Sequence, residues 1–206
     1  MKELTPNEKY QLMASRIDKI LKTDEFMFDI NFLKALHKYL FTDLLDNCGE
    51  FRHINLIRSE SVLDGQTVTY SNYFNIEKYL SYDMSQEFLT NYQGLSPDEF
   101  IKKICLLNIK LWLTHPFRDG NTRTISVFIR LLFNKLGYKF DNDEFRKYFS
   151  FYRNALVLAT YSTSKTSPKE EYLELFFKHI LFDQNISLDD IEFTYNNSNV
   201  KKLIKE

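Results

Sequence analysis

Nine consecutive residues, His115-Pro116-Phe117-Arg118-Asp119-Gly120-Asn121-Thr122-Arg123, gather a titratable base, a carboxylate, a flexible turn and a fixed cation between two apolar segments. Gly120 permits unusual dihedrals, and the backbone N–H groups at a helix start just beyond it would form a partly positive nest for phosphate oxygens. Arg123 would add a planar, permanent cation in the first turn. A carboxylate such as Asp119 beside a phosphate nest repels the ligand unless a cation bridges the two, and Mg²⁺ does so with one or two carboxylates plus phosphate oxygens. His115 can take a proton from an attacking hydroxyl, and a position at a helix C-terminus favours the imidazolium that results. Taken singly, a histidine at a helix end or an Asp-Gly-Asn turn is more often structural. Together, in this order, they read as a phosphate-transfer site.

The flanking elements have to hold these groups in place. Ser96-Pro97-Asp98-Glu99 carries the signature of a helix start, with Ser as cap, Pro at the first helical position and Glu three residues after the cap. Phe100, Ile104, Asn108, Leu111 and His115 then share one side, which puts the histidine near the last turn. Pro116 ends that helix. A second helix is expected from about Asn121, with Asp119 and Asn121 as caps. Ile125, Phe128, Ile129, Leu132, Phe133 and Leu136 recur at helical spacing and Gly137 stops it. Val127 and Leu131 make this helix apolar over most of its circumference, so it is expected to be central and buried. Upstream, Phe28, Phe32, Leu33, Leu36, Leu40 and Leu44 form a helical stripe with Asp29 as cap. Residues 52–71 change character: Ile54, Leu56, Val62, Val68, Thr69 and Tyr70 surround Asp64-Gly65, a hairpin turn signal. A helix is expected over about 76–92, and two or three more over 143–183, with 162–168 as a loop.

The composition suits a compact, mainly helical chain. Of 206 residues 44% are hydrophobic and 16% aromatic, with 5 Gly and 4 Pro, enough to bury a core without covalent staples. A formal net charge of -1 gives no global field toward nucleic acid or an anionic membrane. Two cysteines, Cys48 and Cys105, make neither a disulfide framework nor a zinc set. The N-terminal stretch lacks the apolar core of a signal peptide, and no run approaches the roughly 18 apolar residues of a membrane span. The expectation is a soluble, cytoplasmic protein, with export as an effector by another route left open. No nucleic-acid motif is present. His37, His53 and His179 lack metal-ligand spacing and read as structural.

With these residues in place, the chain resembles the Fic family (Fic/Doc superfamily), whose motif is H-P-F-x-(D/E)-G-N-G-R-x-x-R. The match runs through His115, Pro116, Phe117, Asp119, Gly120, Asn121 and Arg123. Phe32-Leu33, Leu36-His37, Leu40-Phe41 and Gly49-Glu50-Phe51-Arg52 look like the family's first core helix and the approach to its flap, and Leu63-Asp64-Gly65-Gln66 with Val68 and Tyr70 looks like the flap itself. The resemblance covers residues 32–140. It implies a mainly α Fic fold, a helical bundle with a central helix-loop-helix active site and a small β-hairpin flap over about 52–71. A single domain over 1–184, followed by a polar tail over 185–206 with a short helix at its end, is expected. The implied activity is a protein adenylyltransferase that moves AMP from ATP-Mg to a Tyr, Ser or Thr hydroxyl of a target protein. By the resemblance His115 is the general base, Asp119 holds Mg²⁺, and Gly120, Asn121, Thr122 and Arg123 make the phosphate hole. Phe117 anchors the loop, and residues 56–71 dock the target by strand addition.

The motif departs from the family at two positions. Its second glycine is Thr122, which is also not the lysine that accompanies phosphate transfer in the Doc branch. Its second arginine is Ser126. In the family that arginine binds the terminal phosphate and pairs with the glutamate of an inhibitory helix, (S/T)-x-x-x-E-(G/N), and Thr166 to Glu171 fails that pattern. The expectation is an enzyme that lacks that autoinhibition, or one restrained by a separate chain or by oligomerisation such as a homodimer. The alternatives are transfer of UMP, GMP, phosphate or phosphocholine, and a degraded site that only binds nucleotide or protein. Tyr152 and Asn154 are candidates for a nucleobase pocket and equally explicable as core.

Overall fold

The computed structural model describes residues 4–195. The C-terminal helix expected at the very end of the tail lies outside the described residues. Eight α-helices occur among them: α1 (Pro6–Ile20), α2 (Ile30–Phe41), α3 (Ile76–Phe88), α4 (Pro97–Thr114), α5 (Asn121–Lys135), α6 (Asn142–Lys147), α7 (Phe149–Thr160) and α8 (Glu171–Leu181). None is long and apolar enough to cross a membrane. The chain divides into two compact units, each assembled from separate stretches.

The first unit comprises residues up to Asn55, Ser71–Asn91 and Thr114–Tyr138, and so contains α1, α2, α3 and α5. In α1, Thr5 and Glu8 exchange side-chain and backbone hydrogen bonds in a capping box, with Pro6 at the first helical position. Asp29 caps α2 as expected, its carboxylate accepting from the N–H groups of Asn31 and Phe32. α2 packs on α5, and the rings of Phe26, Phe28 and Phe32 close around Phe128 at centroid distances of 4.9, 6.2 and 6.1 Å. Eleven of the fifteen residues of α5 are buried, as its nearly all-round apolar surface predicted. Its end is a Schellman motif: Tyr138 N–H donates to Phe133 O and Gly137 N–H to Asn134 O, with Gly137 at φ +80°.

The second unit comprises Leu56–Tyr70, Tyr92–Leu113 and residues from Lys139 onward. Ser96 and Glu99 form the expected capping box at the start of α4. Tyr152, fully buried, donates its hydroxyl to Asn108 Oδ1 at 2.6 Å, so it is a core residue rather than part of a nucleobase pocket. His179 bonds Ile186 O and the Glu144 carboxylate, a structural role. On α8, burial first, then Glu170, Glu171 and Asp98, raise the Glu174 carboxyl above its ordinary 4.5 against the pull of Lys102. A carboxyl whose folded value is raised holds its proton more tightly in the native state, so stability falls as pH rises from 4.5 through the folded value. Glu174→Gln should therefore raise the melting temperature at pH 7 and lose that advantage near pH 4.

The hairpin expected over 52–71 is not formed. Among the described residues the only β pairing is an isolated antiparallel bridge, Ser59–Thr67. Ser61–Leu63 coil instead into a 3-10 turn, and Asp64 and Gly65 are left-handed at φ +52° and +88°. The Asp64-Gly65 turn signal is real. However, the N–H groups of Leu63 and Gly65 both go to Glu60 O, and Gln66 N–H goes to Leu63 O. The local turn thus takes donors that a ladder would need. Leu63, Val68 and Tyr70 are buried, and so is Glu60, which pairs with Arg153 of α7 at 2.7 Å.

Candidate active site

α4 ends at Thr114, so His115 lies one residue beyond the helix rather than in its last turn. Its backbone is left-handed, φ +46°, and the residue is only 5% exposed. A non-glycine residue in that region is uncommon and needs support from its surroundings. Pro116 and Phe117 turn the chain inward; Arg118 and Asp119 turn it out to the surface. Gly120, at φ +74°, is the N-cap of α5. A Cβ at Gly120 would overlap the Phe41 ring, so glycine is required here by both dihedral and space.

Neither expected cap behaves as one. The Asp119 carboxylate accepts from Gly120 N–H at 2.7 Å. Asn121 is the first residue of α5, and its amide clasps Phe117, with Oδ1 accepting from Phe117 N–H at 2.8 Å and Nδ2 donating to Phe117 O at 2.7 Å. That clasp closes the loop on itself. Asn121→Ala would strand both Phe117 backbone groups in a buried site, at about 1–3 kcal/mol, read as a lower urea midpoint with unchanged m-value.

The ring of Phe117 stacks on His37 at 3.8 Å and 15°, and lies 5.6 Å from Phe51. His37 Nδ1 accepts from Gly49 N–H at 2.9 Å, which leaves the ring proton on Nε2, 3.1 Å from Asp119 O. Burial lowers the His37 pKa, with the nearby Asp119 backbone and charge opposing; the neutral Nε2–H form is the one that suits both partners. His37 is therefore structural, as its spacing suggested, yet it sets the position of the loop's carboxylate-bearing residue. Arg52 does the same for the other end: its N–H donates to Pro116 O at 2.8 Å and its Nε to His115 O at 2.7 Å. Neither role has a signature in sequence, because both partners are backbone carbonyls 63 and 82 residues away.

Thr122 is half-buried and Arg123 exposed in the first turn of α5. Thr124 N–H donates to Gly120 O at 3.0 Å at the start of α5, and the first-turn amides of a helix point away from its carbonyl ladder. Ser126, at the place of the family's second arginine, turns its hydroxyl onto Arg123 O at 2.8 Å and offers no cation. The donor set fits Mg²⁺ in one specific way. Asp119 is exposed at the start of α5, and no group of three His, Cys, Asp or Glu side chains able to hold a metal occurs among the described residues. A cation here would be shared with ligand phosphates rather than caged by protein.

The sequence profile of the Fic/DOC family matches residues 27–133. The chain belongs to that family, and its fold is the mainly helical Fic fold. It is similar to the protein adenylyltransferase VbhT of Bartonella schoenbuchensis, 30% identical over 119 residues, covering 56% of this chain and 23% of VbhT. It is also similar to the probable protein adenylyltransferase y4lH of Sinorhizobium fredii, 27% identical over 122 residues, covering 56% of this chain and 58% of y4lH. The chain thus spans less than two thirds of either relative. Among solved structures, the BepC effector of Bartonella tribocorum with bound AMPPNP superposes with a TM-score of 0.67 at 20% identity, covering 85% of this chain and 87% of that one.

Proposed function

We propose that this chain is a protein adenylyltransferase that transfers AMP from ATP-Mg to a Tyr, Ser or Thr hydroxyl of a target protein. The observation that carries the reading is the uninterrupted run from His115 to Arg123, held between the end of α4 and the start of α5. Its base is enclosed, its carboxylate-bearing residue is exposed, and its last residues form the first turn of α5. The adenylyltransferase names of VbhT and y4lH and the ATP analogue on BepC support the choice of donor. In the reaction His115 takes the hydroxyl proton, the oxygen forms a bond to the α-phosphorus, and the bond from that phosphorus to the bridging oxygen breaks to release pyrophosphate. The amides of the α5 start, with Asn121, Thr122 and Arg123, stabilise the phosphate charge; Gly120 lets the backbone approach it. Asp119 would hold Mg²⁺, which when bound neutralises charge on the phosphates. Segment 56–71 is the proposed dock for the target strand: it buries Val68 and Tyr70 and turns Thr67 and Thr69 outward, the alternation that strand addition reads.

With Ser126 in place of an arginine, the inhibitory contact known in the family has no cation to grip. Purified wild-type protein should therefore label a protein, itself or another, without an activating mutation. Incubation with ATP labelled at the α or the γ phosphate, with and without Mg²⁺, tests the reading. Label should pass from the α position only and require Mg²⁺; passage from the γ position would make the chain a phosphotransferase.

A further inference from the structure

We propose that Arg52 is a positioning residue whose guanidinium joins the base-bearing loop to Ile54 and Ser71, the residues that flank the 56–70 segment. The side chain is buried, with the residue 4% exposed. On one side it donates to His115 O at 2.7 Å and to Thr114 O at 3.3 Å, the carbonyls at the end of α4. On the other it donates through Nη1 to Ile54 O at 2.6 Å and through Nη2 to Ser71 O. Ile54 and Ser71 bracket the 56–70 segment, so the chain leaves for that segment and returns from it at the same cation. Next to this stem, Tyr73 N–H donates to Asn55 Oδ1 at 3.0 Å.

The arrangement has a mechanical consequence. His115 is held in a left-handed backbone that a non-glycine residue keeps only when its neighbours impose it. The carbonyls of Thr114, His115 and Pro116 are all fixed by Arg52, the last through its backbone N–H. A guanidinium presents its donors in one rigid plane; it cannot release Ile54 or Ser71 without shifting relative to His115. Displacement of Ile54 or Ser71 is thereby transmitted to the base. A lysine carries the same charge on a flexible stem with three donors at one point, and cannot span these four carbonyls.

The functional half of this proposal rests on the AMP-transfer reading, where the 56–71 segment docks the target; the structural half does not. Three amides report on the unit: Arg52 N–H (to Pro116), Phe117 N–H (to Asn121) and Tyr73 N–H (to Asn55). In native-state hydrogen exchange of the full wild-type chain across low denaturant, all three should follow one sub-global opening, with the same free energy and slope. In Arg52→Lys they should exchange faster by a common factor of about 10 or more, without acceleration at Phe176 and Phe177 of α8. Acceleration at Phe117 without Tyr73, or equal acceleration throughout the chain, would overturn the clamp. If Arg52→Lys does not fold, separate openings for the three amides in the wild type do so on their own. Transfer from α-labelled ATP should fall about 10²-fold in Arg52→Lys, the scale of a misplacement near 1 Å, with ATP-Mg affinity kept. Unchanged transfer alongside loosened amides would remove the functional half. A wild-type chain that transfers nothing would count against the proposed activity, and the exchange result would still decide the clamp.

Discussion

Replacing His115 with alanine should eliminate detectable AMP transfer while leaving the fold and ATP-Mg binding in place. A general base contributes about 10²–10⁴-fold, and two of the other three histidines are engaged elsewhere: the His37 ring with Gly49 and Asp119, and the His179 ring with Ile186 and Glu144. The left-handed backbone at His115 calls for a control. Asparagine tolerates that conformation better than most residues, so His115→Asn keeps the loop's shape and removes only the base. Both variants should bind ATP-Mg by calorimetry with wild-type affinity and label nothing. Retained labelling by His115→Asn would show that the loop positions substrate and that the proton leaves by another path.

Phe117→Ala should be the most damaging substitution for stability. The ring is 1% exposed and stacks on His37. Truncating a buried phenylalanine costs about 3–5 kcal/mol, a large share of the roughly 5–15 kcal/mol that holds a domain folded. The loss also removes the surface that holds His37 against Asp119 O, so loop geometry and stability fail together. Denaturant unfolding should show a large drop in midpoint, and Phe117→Leu, which keeps most of the volume, should recover much of it. An unfolding free energy for Phe117→Ala within about 1 kcal/mol of wild type would mean the ring is not the anchor of this loop.

Much of the scaffold around the site was legible because its signals are local. Ser96 to Glu99 starts α4, Gly137 stops α5 and Asp29 caps α2, each by contacts within a few residues. The same signature, Thr5-Pro6 with Glu8, marks α1 and was open to the same reading. The hairpin expected over 52–71 does not form for a physical reason: strand-type residues and a turn signal do not fix how many residues the turn absorbs, and here a 3-10 turn takes Ser61–Leu63. Asn121 looked like a cap because asparagine often is one, but the chain doubles back through Pro116 and brings Phe117 into its reach. Arg52 and His37 were the least legible. They act on backbone carbonyls, which every residue has, across spans that only the folded chain closes.

The central claim is tested most directly by mass spectrometry of a cell lysate incubated with wild-type protein, ATP and Mg²⁺. The account predicts peptides that carry an added adenosine monophosphate on a Tyr, Ser or Thr hydroxyl, absent when His115→Asn replaces the wild type. Peptides carrying phosphate or another nucleotide in place of AMP, or AMP-bearing peptides at equal yield with His115→Asn, would contradict it.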